Sequence, residues 1–462
     1  MTALWTSQDA QAATLGAASK PFEITGLSID TRTLKPGDLF VALKGDARDG
    51  HAFVKDALAK NAGAALVQRD VPDAPEGAPL LTVANTQRGL EDLARASRAR
   101  SRAQIIAVTG SAGKTTTKEM LRLAFGALGN THASAASYNN HWGVPLSLAS
   151  MPRETAFGVF EVGMNHFGEL RALVSFVRPH VALVTTIAPA HLEFFETCDA
   201  IADAKSEIFE GIVSGGAALI PADSPYAPRL RARAKQAHVS RIMSFGAGAD
   251  CEARLLGFEE TGEGTKVQSQ ILGRDVHFRL GASGAHNVSN AVGALLAVAA
   301  VDGDVLNAAA ALSQFAALKG RGERHTLTIA GKRVLLIDES YNANPASMAA
   351  AIGNLGQANA RRRVAVLGDM LELGAEGETL HAGLAPAIEE ARADLVFLSG
   401  KQMAALWKKI PAQSRGAYGA TSSDIASALL DALQDGDAVL VKGSFGSKMA
   451  VIIEALKARA GD

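Results

Sequence analysis

An apolar run, Ile105-Ile106-Ala107-Val108, leads into Thr109-Gly110-Ser111-Ala112-Gly113-Lys114-Thr115-Thr116-Thr117. Glycines so placed let backbone N–H groups curl around an anion, and a helix opening next adds its positive end. Lys114 can then reach the outer phosphates of a nucleoside triphosphate, with the Thr115 hydroxyl on its Mg²⁺. The general phosphate loop has four residues between its glycines. Here the first glycine position is Val108, which leaves the shorter Thr-Gly-x-x-Gly-Lys-Thr. Gly110, Ser111, Ala112, Gly113, Lys114, Thr115 and Thr116 are therefore expected to hold ATP.

Other polar residues also follow apolar runs. Glu161 comes at the end of Ala156–Val162, and His191 comes after Val181–Ile187. Ligands gather at the carboxyl ends of strands in an open parallel sheet, so Lys114, Glu161 and His191 should converge. A carboxylate and an imidazole beside a triphosphate suit Mg²⁺. Lys205 lies midway along a helix expected over 200–209, where a lysine is ordinarily solvated. Asn287 and Asn290 open an Ala-rich helix, where they either cap it or read a purine edge with amide donor and acceptor together. Ser28, Asp30, Thr31 and Arg32 end an alternating segment that begins at Ile24. They form either a solvated turn or a ribose and diphosphate site, because arginine offers phosphate a planar fork of donors. Asn139 and Asn140 sit in a dense polar loop from Ser137 to Pro145.

These groups need a frame to hold them. At 462 residues the chain exceeds what one core usually serves. We expect an α/β protein of three domains: residues 1–103, a small α/β unit; 104–322, a parallel-sheet phosphate-loop unit; and 323–462, a Rossmann-like unit. In the last, four strands (334–337, 364–367, 395–398 and 438–441) alternate with helices, and the polar Asp338–Pro345 follows the first. Short alternating segments from 241 to 280 suggest a β-rich excursion from the middle unit. An apolar content of 48% with 20% charged residues is ordinary globular material, and a net charge of −1 argues against nucleic acid bound through a basic face. Cys198 and Cys251 make no metal-site spacing and suggest a reducing compartment. The first residues lack the basic and apolar pattern of a signal peptide, and the apolar stretch 292–301 reads as a core helix, not a membrane span. A cytoplasmic protein without membrane insertion is the expectation.

Taken together, these motifs resemble the Mur ligases of peptidoglycan synthesis over nearly the whole chain. The most specific stretches are Asp338 to Met348, containing Tyr-Asn-Ala-Asn-Pro, and Val366 to Gly374. Within that family the resemblance implies the branch that adds D-alanyl-D-alanine to UDP-N-acetylmuramoyl-tripeptide, acting as a monomer with ATP and two Mg²⁺. By the same resemblance, Lys114, Thr115, Glu161 and His191 serve triphosphate and metal. Lys205, in Ala-Lys-x-Glu-Ile, matches a lysine carbamylated in the family, where the carbamate is an anion able to ligate the second Mg²⁺. Asn287 and Asn290 match the adenine side, and Arg321 with Asp338 a pair reaching ATP from the domain junction. Ser28, Thr31 and Arg32 would face the UDP-sugar, with Asn139 and Asn140 also on the substrate side. Tyr341, Asn342 and Asn344 would face the dipeptide. Two departures stand out: Ser137 where many relatives have asparagine, and Phe445, with Lys448 nearby, where many have arginine after Lys-Gly-Ser.

The chemistry this implies is phosphorylation of the tripeptide's terminal carboxylate, attack by the dipeptide amine and expulsion of phosphate, with the third domain closing to exclude water. The alternatives are another ligase of the superfamily, folylpolyglutamate-type or third-residue-adding, or a non-catalytic nucleotide-binding scaffold. The Ser-x-Asp-Thr-Arg unit and Tyr-Asn-Ala-Asn-Pro speak against the former, and the intact Lys114, Glu161, His191 and Lys205 against the latter.

Overall fold

Side-chain alternation along the strand Gln104–Thr109 organises the middle of the molecule. Ile106 and Val108 enter one apolar core and Ile105 and Ala107 the other, so the strand is buried on both faces, as parallel sheets require. The computed structural model describes residues 3–46, 48–135, 137–189, 192–261 and 264–460. Gln104–Thr109 lies between Phe157–Glu161 and Val181–Val184, parallel to both. Thr131–Ala133 closes one edge. On the other side Ala217–Pro221, Arg241–Gly246 and Ala253–Thr261 continue in parallel before an antiparallel pair, Gly264–Ile271 and Arg274–Leu280, completes nine strands. The segments from 241 to 280, expected as an excursion, thus extend the main sheet. Their parallel link is short, joining only Phe245 to Ala253 and Gly246 to Arg254.

The helices Lys114–Gly126 and Ala285–Ala300 cover one face of this sheet, and Gly143–Ala149, Glu169–Val177, Cys198–Ser206 and Ala227–Gln236 contribute to the other. Alanine lets Ala285–Ala300 lie close to the strands, and Gly293 sits against the Phe245 ring.

The N-terminal sheet has five strands in the order Ala17–Ala18, Leu80–Thr82, Ala64–Val67, Asp38–Val41 and Gly26–Ser28, all parallel but the first. The alternating segment beginning at Ile24 is not one strand. Glu23–Ile24 pairs with Trp5–Thr6 in a separate ribbon, and Thr25, whose N–H goes to the Gly37 carbonyl, marks the switch between sheets. The C-terminal sheet has six strands. Its parallel part runs Lys332–Glu339, Asp437–Lys442, Arg362–Gly368, Leu395–Ser399 and Arg415–Gly419, and Glu323–Ile329 is antiparallel at the edge.

The two domain junctions differ in kind. Leu146, Ala149, Tyr138 and Trp142 of the middle domain pack into the same apolar cluster as Leu39, Val41 and Leu66 of the first. Trp5 Nε1 also donates to the Ala149 carbonyl at 2.9 Å, and Arg98 donates to the Val177 and Arg178 carbonyls at 2.8 and 2.7 Å. Among the described residues no apolar cluster joins the middle and C-terminal domains. Hydrogen bonds such as Asn344 Nδ2 to the Ser111 carbonyl join them, and the connection runs through Gly320 and Gly322, both at positive φ. No helix among the described residues is long and apolar enough to cross a membrane.

Candidate active site

The phosphate loop bridges the strand Gln104–Thr109 and the helix Lys114–Gly126, at the point where strand order reverses. Two of its glycines are required by the backbone. Gly113 has φ +81° and lies against the Asn290 amide, and a Cβ on Gly110 would collide with the Thr185 hydroxyl. Ser111 anchors the loop to the next strand's exit: its N–H donates to the Thr186 carbonyl (2.8 Å) and its Oγ to the Ala188 carbonyl (2.9 Å). That anchoring is why the expected strand 181–187 stops at Val184. Thr115 is buried in the first helical turn, with Thr116 half-buried beside it.

Lys114 Nζ donates to the Gly110 carbonyl at 2.7 Å, folded back over its own loop. Burial pushes its pKa down, Glu161 acts against that, and Arg321 adds to the depression. Lys114, Glu161 and Arg321 therefore share one electrostatic environment, and Lys205 joins it. Lys205 is 1% exposed, and its pKa is held well below the usual lysine value by burial and then by Lys114. None of the hydrogen bonds or ion pairs among the described residues engages its Nζ. Burial on this scale disfavours the charged form of the amine. The helix Cys198–Ser206 is not the solvated surface its sequence suggests at this position.

Glu161 ends its strand opposite Val108 and is 1% exposed. Its Oε1 accepts from Asn139 Nδ2 at 2.6 Å, while its buried Oε2 has no hydrogen-bond partner. An orphaned buried carboxylate oxygen is costly unless something positive meets it. This free carboxylate oxygen and the Thr115 hydroxyl are oxygen donors of the kind that fit Mg²⁺ carried on a triphosphate, which is usually held by one or two carboxylates plus phosphate oxygens. His191 lies outside the described residues.

The C-terminal domain meets this centre through the loop after its strand Lys332–Glu339. Asn344 caps the helix Pro345–Gly356, accepting from Ser347 N at 2.9 Å, and its Nδ2 donates to the Ser111 carbonyl at 3.2 Å. Both ends of the amide are thus committed to structure and to the phosphate loop, not to an open substrate face. Tyr341 and Asn342 are exposed beside it. Arg321 stacks over the Tyr341 ring, 4.0 Å from its centroid. Asp338 is buried and accepts from Ser340 N and Oγ at 3.0 and 2.6 Å, so it shapes its own loop; Gly322, next to Arg321, donates to its carbonyl at 2.8 Å.

The remaining expected residues divide. Asn290 backs the phosphate loop, whereas Asn287 Nδ2 donates to the Ser283 carbonyl at 2.7 Å within its own helix start. Asn140 is exposed and closes the turn before the helix Gly143–Ala149, its Oδ1 accepting from Trp142 N at 3.2 Å and Gly143 N at 2.9 Å. In the N-terminal domain, Ser28 is buried and Thr31 half-buried. Arg32 is exposed and chelated by Asp30 at 2.6 Å, which pulls the Asp30 pKa down to about 2. One further residue at the domain junction was not legible as a site residue: Lys442, buried at its strand end, donates to the Asn342 carbonyl at 3.0 Å and to Glu339 Oε2 at 3.3 Å. Its place in Lys-Gly-Ser after an apolar strand was the available signal.

A phosphate loop, an orphaned carboxylate and a buried free amine, met by a Rossmann-like domain across a polar hinge, define an ATP-dependent ligase of the Mur type. The sequence matches the Mur ligase family catalytic domain over residues 23–98, the Mur ligase middle domain over 108–298, and the Mur ligase, glutamate ligase domain over 320–445. It is 32% identical to the UDP-N-acetylmuramoyl-tripeptide–D-alanyl-D-alanine ligase of Rickettsia prowazekii, covering 98% of this chain and 99% of that one. It is 36% identical to the Escherichia coli ligase of the same name, covering 94% of each. A crystal structure of MurF from Acinetobacter baumannii superposes with a TM-score of 0.86 at 32% identity, covering 98% of this chain and 99% of the other. The chain belongs to the Mur ligase family, in its UDP-N-acetylmuramoyl-tripeptide–D-alanyl-D-alanine ligase (MurF) branch.

Proposed function

We propose that this chain uses ATP to join D-alanyl-D-alanine to UDP-N-acetylmuramoyl-tripeptide, working in the cytoplasm, where ATP and UDP-linked precursors are available. We take a monomer as the acting unit. We place the working domains at 1–103, 104–322 and 323–462. The observation that supports the reading is the hydrogen bond from Asn344 to the Ser111 carbonyl, which sets the loop we assign to the dipeptide against the phosphate loop.

A carboxylate resists amines because its oxyanion repels them and hydroxide leaves poorly. Transfer of the γ-phosphoryl to the tripeptide's terminal carboxylate removes both obstacles. The dipeptide's amine then adds to the acyl carbon, the C–O bond to phosphate breaks, and the amine proton passes to solvent or phosphate. Lys114 leaves the Gly110 carbonyl to neutralise the transferring group. Glu161, Thr115 and His191, with Lys205 as its carbamate, would hold Mg²⁺, which when bound offsets triphosphate charge. Carbamate formation needs only CO₂: the neutral Lys205 amine forms the N–C bond and releases one proton. Ser28, Thr31 and Arg32 take the UDP end, Arg32 sharing its guanidinium between Asp30 and the diphosphate. Asn287 and Asn290 serve the adenine side, and Tyr341 and Asn342 the dipeptide. Because no apolar cluster among the described residues joins the C-terminal domain to the middle one, we take it as the domain that swings and seals the acyl phosphate from water.

The test is phosphate release from ATP with each substrate alone and with both, together with the mass of the product. Release that needs both, with formation of the UDP-linked pentapeptide, is expected. Basal release indifferent to either substrate contradicts the reading and favours a nucleotide-binding scaffold.

A further inference from the structure

One short loop touches all three domains and the Glu161 carboxylate. Toward the C-terminal domain, Ser137 Oγ accepts from Tyr341 Oη at 2.9 Å and from Arg321 Nη2 at 3.5 Å. Toward the N-terminal domain, Tyr138 packs against the cluster containing Leu39 and Val41, the His141 carbonyl accepts from Gln87 Nε2 at 3.0 Å, and Trp142 lies over Gly45, where a Cβ would come within 3.0 Å of its ring. Between these anchors, Asn139 N donates to the Ser137 carbonyl at 2.8 Å, and the Asn139 carbonyl accepts from Gly163 N at 2.8 Å. The Asn139 side chain is wedged against Gly163, where an added Cβ would stand 2.9 Å from Cγ. From that fixed position Nδ2 reaches Glu161 Oε1 at 2.6 Å and leaves Oε2 unpartnered.

We infer that the 137–142 loop relays docking of the outer domains to the metal site, with Asn139 as a positioning residue for Glu161 and the Ser137–Tyr341–Arg321 contact as its latch. This rests on Glu161 being a ligand of the ATP-bound Mg²⁺. An amide donor occupies one carboxylate oxygen without competing for a cation, so it fixes the plane in which the other is presented. Without Asn139, the buried carboxylate is free to turn toward Lys114, whose charge is the attraction already felt there. Partners that orient metal ligands in this way are worth about 10–100-fold in metal affinity.

The test reads Mn²⁺ affinity by electron paramagnetic resonance, in the complex with a non-hydrolysable ATP analogue and again with UDP-tripeptide added. Asn139→Ala is expected to weaken Mn²⁺ at least about tenfold in both complexes. Tyr341→Phe, which keeps the ring under Arg321 and removes only an exposed hydroxyl, is expected to weaken it severalfold only when UDP-tripeptide is present. Wild-type Mn²⁺ affinity in folded Asn139→Ala, or in Tyr341→Phe with both ligands bound, overturns the relay. Glu161→Gln separates the two levels. If it abolishes Mn²⁺ binding while Asn139→Ala does not, the relay is wrong and the ligand assignment stands; if it binds Mn²⁺ normally, the assignment itself is wrong.

Discussion

Asn344 and Ser111, 233 positions apart in the chain, are joined by a hydrogen bond from the Asn344 amide to the Ser111 carbonyl. This bond ties the C-terminal domain directly to the phosphate loop, and the same amide's oxygen caps the helix Pro345–Gly356. The two roles can be separated. Asn344→Ala loses both and should cost about 1 kcal/mol of stability through the cap alone, as well as weakening ATP binding. Asn344→Asp keeps a capping acceptor but turns the donor into a carboxylate facing a carbonyl beside the triphosphate. Near wild-type denaturation with a raised KM for ATP is the expected outcome. Equal loss of stability in both variants would leave the Ser111 contact without a functional role.

Lys114 is folded onto the phosphate loop, its Nζ on the Gly110 carbonyl. Lys114→Ala should lower turnover by about 10²–10³-fold with the fold intact, as measured by steady-state kinetics and circular dichroism. Wild-type-like turnover would remove the loop from the chemistry.

Burial works against the charged form of Lys205, and it is the uncharged amine that reacts with CO₂. Lys205→Ala should lose about 10²-fold or more in turnover and recover part of it with added formate or acetate, short carboxylates able to stand in for the carbamate. In ¹³C-bicarbonate, the wild type should show a carbamate carbonyl resonance that the variant lacks. A fully active variant, or identical spectra, contradicts the modification.

His381 offers a pH test away from the reaction. It is wholly buried, accepts from Met370 N on Nε2 at 2.9 Å and donates from Nδ1 to the Gly377 carbonyl at 2.6 Å, so the fold uses the neutral ring. Burial lowers its pKa, outweighing the Gly377 bond and Asp369. The unfolded chain therefore binds this proton at higher pH than the folded one. Stability should fall as pH drops below about 6.5, and the loss should continue until the lowered folded pKa is reached. His381→Gln should flatten that slope in urea titrations between pH 5 and 7. An unchanged slope would mean that other groups set the acid limit.

Much of this molecule can be read from sequence, because phosphate loops and parallel strands are local signals. Val108–Thr117 declares its chemistry in ten residues, and Val364–Leu367 or Ala438–Val441 can hardly be anything but buried strand. The edges were less legible. Arg415-Gly416-Ala417-Tyr418-Gly419 has no apolar run, since an edge strand covered on one side needs none, and Glu323–Ile329 alternates with half its residues in water. Least legible were side chains whose meaning depends on a distant partner. Asn139 and Glu161 are 22 residues apart and Ser137 and Tyr341 204, and nothing in either local sequence announces the meeting. Asn140, adjacent to Asn139 and identical in type, merely closes a turn.

Ligation by this route requires the ATP γ-phosphorus to reach the tripeptide's carboxylate in one shared cleft. The most direct measurement follows oxygen. With ¹⁸O in the terminal carboxylate of UDP-N-acetylmuramoyl-tripeptide, turnover with ATP and D-alanyl-D-alanine should release phosphate carrying one ¹⁸O drawn from that carboxylate. Unlabelled phosphate released alongside a normal amide product would mean the carboxylate was never phosphorylated, and the mechanism built on Lys114, Glu161 and the docked Asn344 loop would be wrong.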